Sequence, residues 1–183
     1  MAEQLRYFVV KGKLTNAFLV VQNKTSRVVY LSLGRDEELQ YRQARVDFDK
    51  LSAKTKVEYE LNEREQDNKD LEAVAENVRK LMDDSAPIMV DYEYIFGTEF
   101  QKRVWSELEK VPSGQTVTYT TIAKNLGSPN ATRAVGNAIG QNKLALIVPC
   151  HRCLPASGST GGFRWGPVLK RKLVRQERSL KTR

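Results

Sequence analysis

The stretch Ile147-Val148-Pro149-Cys150-His151-Arg152-Cys153 constrains this chain more than any other. A short apolar run ended by proline reads as a buried strand reaching its exit. That places a thiol at a strand end, beside the only histidine of the chain and next to a fixed positive charge. A cationic neighbour favours thiolate over thiol, and the thiolate is the nucleophile. The same residues also suit a small buried cysteine that happens to precede a histidine, so local chemistry leaves both readings open.

At 183 residues the chain has room for one ordinary domain or two small ones. No stretch is long and apolar enough to span a bilayer, and Met1-Ala2-Glu3-Gln4 lacks the basic and apolar regions of a signal peptide. The expectation is a soluble, intracellular protein with no membrane partner. Two cysteines separated by two residues do not make the disulfide framework of a secreted domain. Charge is uneven. From Gly97 onward there are 15 Lys and Arg against 4 Asp and Glu, whereas the first 96 residues carry 15 against 18. A basic half attached to a mildly acidic one suggests that one half faces a polyanion.

The first half reads as a small antiparallel β meander, with β-rich runs at 5–10, 17–21 and 27–33. From Arg35 to Asn68 the sequence is charged and gives no firm element. Apolar residues at Leu71, Val74, Ala75, Val78, Leu81 and Met82 then predict a helix over 70–82, and Ile88 to Phe96 runs extended to a boundary at Gly97. This sets domains at 1–96 and 97–183 and an α+β class, a small antiparallel sheet with helix followed by a mainly helical half. In that second half Thr98 and Gln101 form a capping box ahead of an apolar face of Phe100, Val104, Trp105 and Leu108. Thr118 to Gly127 and Ala131 to Gly140 then read as two short helices joined through a glycine turn, the outline of a helix-turn-helix. Ala131, Ala134, Gly136, Ala138 and Gly140 leave the second nearly bare, with Arg133 projecting. Such bareness suits either close helix packing or a nucleic-acid backbone pressed against the helix.

The run Gly97-Thr98-Glu99-Phe100-Gln101-Lys102-Arg103-Val104-Trp105, then Val117-Thr118-Tyr119, Arg133-Ala134-Val135-Gly136, Asn142 and Pro149-Cys150-His151-Arg152 resembles the O6-alkylguanine-DNA alkyltransferases. The match runs nearly without gaps from Gly97 to Glu177. The charged N-terminal region looks more like fungal members than others. The resemblance implies a monomeric, single-use DNA repair protein without cofactor, acting on double-stranded DNA that contains O6-alkylguanine, with O4-alkylthymine and cooperative DNA binding left open. It implies a recognition helix in the minor groove, with Thr118, Ala131, Ala134 and Gly136 against DNA. Arg133 would fill the gap of a flipped base, and Tyr119 would crowd the adjacent phosphate and donate to the guanine ring. It further implies Cys150 as nucleophile, His151 as base through a water, Glu177 as orienting carboxylate and Asn142 as support of the turn. The substrate pocket would draw on Cys153, Phe163, Arg164 and Trp165. Location follows substrate, the nucleus in a eukaryote and the cytoplasm in a bacterium.

Three positions depart from the family pattern. Phe163 keeps an aromatic wall without the usual hydroxyl, and Trp165 stands where glycine is frequent. Trp165 is expected to narrow the pocket against benzyl adducts, unless it turns outward. The N-terminal half has no cysteine or histidine for the zinc that some members bind. Cys153 replaces an aliphatic residue and opens one rival, a dithiol redox protein using Cys150 and Cys153. Other rivals are a non-catalytic damaged-DNA-binding module and a plain helix-turn-helix regulator. The basic tail from Lys170 to Arg183 suits nuclear import or a solvated helix face.

Overall fold

In the computed structural model, which describes residues 1–181, the chain divides into two compact units, Met1–Phe96 and Gly97 onward. The three β-rich runs of the first unit become β1 (Glu3–Lys11), β2 (Asn16–Gln22) and β3 (Val28–Leu33), each antiparallel to the next. A fourth strand, β4 (Tyr59–Glu63), joins the other edge of β1 in parallel, so the sheet is mixed, in the order β3-β2-β1-β4. The sequence hid β4 because an edge strand needs few apolar residues. Only Leu61 of it is buried, and the charges beside Leu61 face outward.

The uncertain charged region also folds into α1 (Glu37–Thr55). Asp36 caps it, its carboxylate accepting from Leu39 N at 3.0 Å, with Glu37 and Glu38 in the first turn. Gln40, Ala44, Phe48 and Leu51 form one narrow buried stripe. Phe48 meets Phe96 edge-on at 5.1 Å and Tyr30 at 5.7 Å. Gln40 is tolerated there because its Nε2 donates to Leu33 O at 3.0 Å and its Oε1 accepts from the Ser32 hydroxyl. The helix expected over 70–82 is α2 (Lys69–Asp83), which buries Leu71, Val78, Leu81 and Met82. Residues 88–96 are not a strand; Tyr92 makes a single bridge to Val28.

In the second unit the capping box forms as read. Thr98 Oγ1 accepts from Gln101 N at 3.2 Å, Gln101 Oε1 accepts from Thr98 N at 2.9 Å, and α3 (Glu99–Glu109) follows. Gly97 has φ +97°, and a Cβ there would stand 2.5 Å from the Trp105 ring, so only glycine fits. Trp105 is fully enclosed and donates through Nε1 to Ala138 O at 2.8 Å, which ties α3 to α5 (Thr132–Gly140). With α4 (Tyr119–Asn125) these helices pack on one another, and α6 (Pro167–Lys181) lies against the turn that carries the thiol. Among the described residues no helix is long and apolar enough to cross a membrane. Thr182 and Arg183, the end of the basic tail, lie outside the described residues.

Candidate active site

The apolar run ahead of Cys150 is not a strand. Ile147 N donates to Ala145 O at 2.8 Å, Val148 N to Leu144 O at 2.9 Å and Cys150 N to Val148 O at 2.7 Å, a succession of tight turns. Leu146 takes φ +68° within it, a conformation that costs a non-glycine residue about 1 kcal/mol or more. All residues from Leu144 to Cys150 are buried, so the run is apolar with no period, and such a run does not distinguish strand from buried turn. Asn142 holds the turn together. Its Oδ1 accepts from Leu144 N at 2.9 Å, while its Nδ2 donates to Val148 O at 3.2 Å and lies 3.2 Å from Cys150 Sγ.

A 3-10 turn, Cys150–Arg152, opens into β6 (Cys153–Leu154), which pairs in parallel with β5 (Val117–Thr118). This two-residue ladder brings the start of α4, Tyr119, beside the cysteines. Burial raises the Tyr119 phenol and the neighbouring thiols raise it further, so it stays protonated as a donor. Both thiols are free and buried. Burial pushes Cys150 up to about 11, against the opposing hydrogen bond of Asn142, and pushes Cys153 up to about 12. The expected thiolate is therefore corrected, because burial outweighs both the Asn142 hydrogen bond and the Lys170 charge, and the Arg152 guanidinium is engaged elsewhere. Its Nε and Nη2 each reach a Glu177 oxygen at 2.9 Å, and its Nη1 donates to Val111 O at 2.6 Å.

Glu177, on α6, thus serves two partners. His151 Nε2 stands 2.6 Å from Glu177 Oε1. Burial would raise this carboxyl, but the hydrogen bonds from His151 and Arg152, with the Arg152 charge, outweigh it and hold it at about 2. A carboxylate only accepts, so Nε2 carries the proton of the contact, which in the neutral imidazole leaves the lone pair on Nδ1. Nδ1 is buried and has no hydrogen-bond partner among the described residues. The chemical result is a neutral thiol with a base held ready by an acid, the nucleophile–base–orienter order of covalent catalysis.

A cavity of about 200 Å³ opens onto Cys150, lined by Tyr119, Gly136, Ile139, Phe163, Arg164 and Gly162 among others. Gly136 leaves the space against the Tyr119 ring, where a Cβ would come 3.7 Å from it. Trp165 does not line this cavity. It packs edge-on against Phe163 at 5.2 Å, with Arg164 over its ring at 6.0 Å, and supports the wall from behind. Of the small residues on α5, Ala138 is buried under Trp105, whereas Ala134 and Gly140 are exposed and Ala131 and Gly136 half-buried. Ala138 therefore fits the close-packing reading of that bare helix, while Ala134 and Gly140 leave its surface open. Arg133 is exposed, and its side chain has no partner among the described residues. Thr118 spends its hydroxyl on the α4 cap, accepting from Thr121 N at 3.1 Å. Sequence reading missed Lys170, which is 1 % exposed and donates to Gly162 O at 3.1 Å. Its spacing with Leu173, Val174 and Glu177 marked one buried helix face. A larger groove of about 510 Å³ lies in the first unit and has no thiol or imidazole.

Three packed helices beside a buried thiol, with an imidazole and a carboxylate in contact next to it, have the arrangement expected of a helix-turn-helix protein that uses a cysteine for group transfer. Comparison with known proteins narrows this. Residues 99–179 match the family described as 6-O-methylguanine DNA methyltransferase, DNA binding domain. A methylated-DNA–protein-cysteine methyltransferase of Candida glabrata is 37 % identical over 96 % of this chain and 87 % of its own length. One of Saccharomyces cerevisiae is also 37 % identical, over 97 % and 95 %. Among solved structures, a Mycobacterium tuberculosis O6-methylguanine methyltransferase is similar with TM-score 0.70 at 27 % identity, covering 96 % of this chain and 93 % of the other. An OGT of the same organism in complex with DNA gives TM-score 0.68 at 27 % identity, over 97 % and 94 %. The chain belongs to the methylated-DNA–protein-cysteine methyltransferase family.

Proposed function

We propose that the protein reverses alkylation damage directly, by drawing O6-alkylguanine out of duplex DNA and moving its alkyl group to Cys150 Sγ. The observation that carries this is the buried thiol facing a cavity while His151 Nδ1, open and enclosed, is poised by Glu177. The thiol loses its proton to His151 Nδ1 through a bridging water, and the sulfur attacks the alkyl carbon. The S–C bond forms as the C–O6 bond breaks, the departing guanine anion takes up a proton from solvent, and the His151 imidazolium returns the thiol proton to solvent, so charge balances. The Tyr119 hydroxyl donates to the guanine ring and offsets its developing charge. A thioether has no easy hydrolytic return, so each molecule acts once. A tenfold excess of duplex with radiolabelled O6-methylguanine tests this. Incorporation should stop at one equivalent per protein; continued turnover, or none, overturns the reading.

Arg133, exposed on α5 and without a partner among the described residues, would occupy the stack vacated by the flipped base. Arg133→Ala should slow repair of duplex DNA about 10-fold and leave reaction with the free base nearly unchanged. Equal losses on both substrates would remove Arg133 from that role. Trp165 acts on the pocket through Phe163. Trp165→Ala should raise the rate with O6-benzylguanine about 10-fold or more while changing the methyl rate little, because a fixed apolar wall discriminates by about 1–3 kcal/mol. Rates on benzylguanine that match in the two proteins would contradict this. Duplex DNA as substrate assigns the protein to the nucleus of a eukaryotic cell or the cytoplasm of a bacterium.

A further inference from the structure

A second concavity of the same unit lies between α6 and the loop 155–162, with a volume of about 260 Å³. Arg171, Arg175 and Arg178 line it from one face of α6, and Ser159 and Thr160 line it from the loop. Lys170 closes its inner side. None of the three arginines has an ion-pair or hydrogen-bond partner among the described residues. The one acidic residue of α6, Glu177, is already held by His151 and Arg152. Like charges four residues apart on a helix repel, and packing gives no reason to gather them.

Lys170 sharpens the point. It is 1 % exposed, and its ammonium has three N–H donors, of which one meets Gly162 O at 3.1 Å and no other acceptor is found among the described residues. A buried cation with donors to spare, three unpaired guanidinium groups and two hydroxyls converge on one concavity. Arg171 to Arg178 spans about 10 Å along the helix, and the concavity has room for an oxyanion and part of the group attached to it. Guanidinium forks match phosphate oxygens in pairs, whereas an isolated carboxylate would leave most of these donors unused.

We propose that the groove between α6 and the loop 155–162 binds a phosphate group, at a site separate from the alkyl-accepting cavity. The two are linked by one hydrogen bond, because the Gly162 carbonyl that Lys170 holds belongs to the loop lining the Cys150 cavity. Phosphate in the groove would therefore be felt at the wall that carries Phe163. The site stands whether or not Cys150 accepts an alkyl group.

Amide NMR of the full chain, titrated with inorganic phosphate against chloride at constant ionic strength, tests the site. Saturable shifts at Ser159, Thr160 and along α6 are expected, and they should vanish in Arg171→Gln/Arg175→Gln/Arg178→Gln with an unchanged unfolding midpoint. No saturable shift in the native protein, or the same shifts in the variant, overturns the proposal. Where the variant fails to fold, Arg175→Gln alone serves, and its phosphate affinity should fall about 10-fold. The salt dependence of binding to undamaged duplex then assigns the source. Each lost phosphate contact removes about 0.9 from the logarithmic slope, so a fall of about two or more in the variant makes the ligand a nucleic-acid backbone. An unchanged slope with an intact phosphate response makes it a small phosphate ester or free phosphate. Both results uphold the site.

Discussion

Cys150→Ser should bind DNA containing O6-methylguanine as tightly as the native protein and transfer nothing, a loss of about 10⁴-fold or more in rate. The substitution removes the soft nucleophile and little else. Sγ is buried at the mouth of the cavity, 3.2 Å from Asn142 Nδ2, and a hydroxyl can take up that contact. A hydroxyl is far harder to deprotonate than even a thiol pushed up to about 11, so His151 has no proton it can withdraw at neutral pH. Gel-shift titration and transfer of label, made on the same preparation, separate binding from chemistry. Residual transfer within 10-fold of native would mean that another group accepts the alkyl.

The second large effect belongs to Glu177. Glu177→Gln keeps the shape but leaves the Arg152 guanidinium half-buried without its counter-charge, and stability should fall by about 3–5 kcal/mol. Transfer should fall by about 10²-fold, since His151 loses the partner that keeps Nδ1 open. The linkage has a definite sign. The carboxyl sits at about 2 when folded and near 4.5 when free, so its contribution is present in full above about pH 5 and is lost as pH falls from there towards 2. That contribution is about 3 kcal/mol. Urea midpoints measured from pH 7 down to pH 3 should drop steeply for the native protein and more shallowly for Glu177→Gln. Parallel slopes would show that other carboxylates govern acid lability.

Much of this site is legible in residue order because local rules set it. Thr98 and Gln101 announce the start of α3, and the spacing of Leu173, Val174 and Glu177 brings the acid onto the buried face of α6. What escapes reading is set by packing across the chain. The 144–150 run looks like a strand because full burial erases periodicity, and only its internal hydrogen bonds reveal turns. Arg152 looks like a partner for the adjacent thiol, yet a carboxylate 25 positions away claims it. Lys170 reads as one more basic residue of a solvated tail until its neighbours enclose it. In the first unit, α1 and β4 carry charges because each buries only a thin stripe, and thin stripes give weak signals.

The central claim is that one sulfur atom takes up the alkyl group. Intact mass after incubation with one equivalent of an oligonucleotide duplex bearing O6-methylguanine, followed by peptide mapping, tests it most directly. The account predicts a single added methyl group, located on the peptide of Cys150 and absent in Cys150→Ser. Methyl on Cys153 or on any other residue would contradict it, and so would tight binding with no change in mass. Loss of two hydrogens under mild oxidant, with no methyl taken up, would make the pair Cys150 and Cys153 a redox dithiol instead.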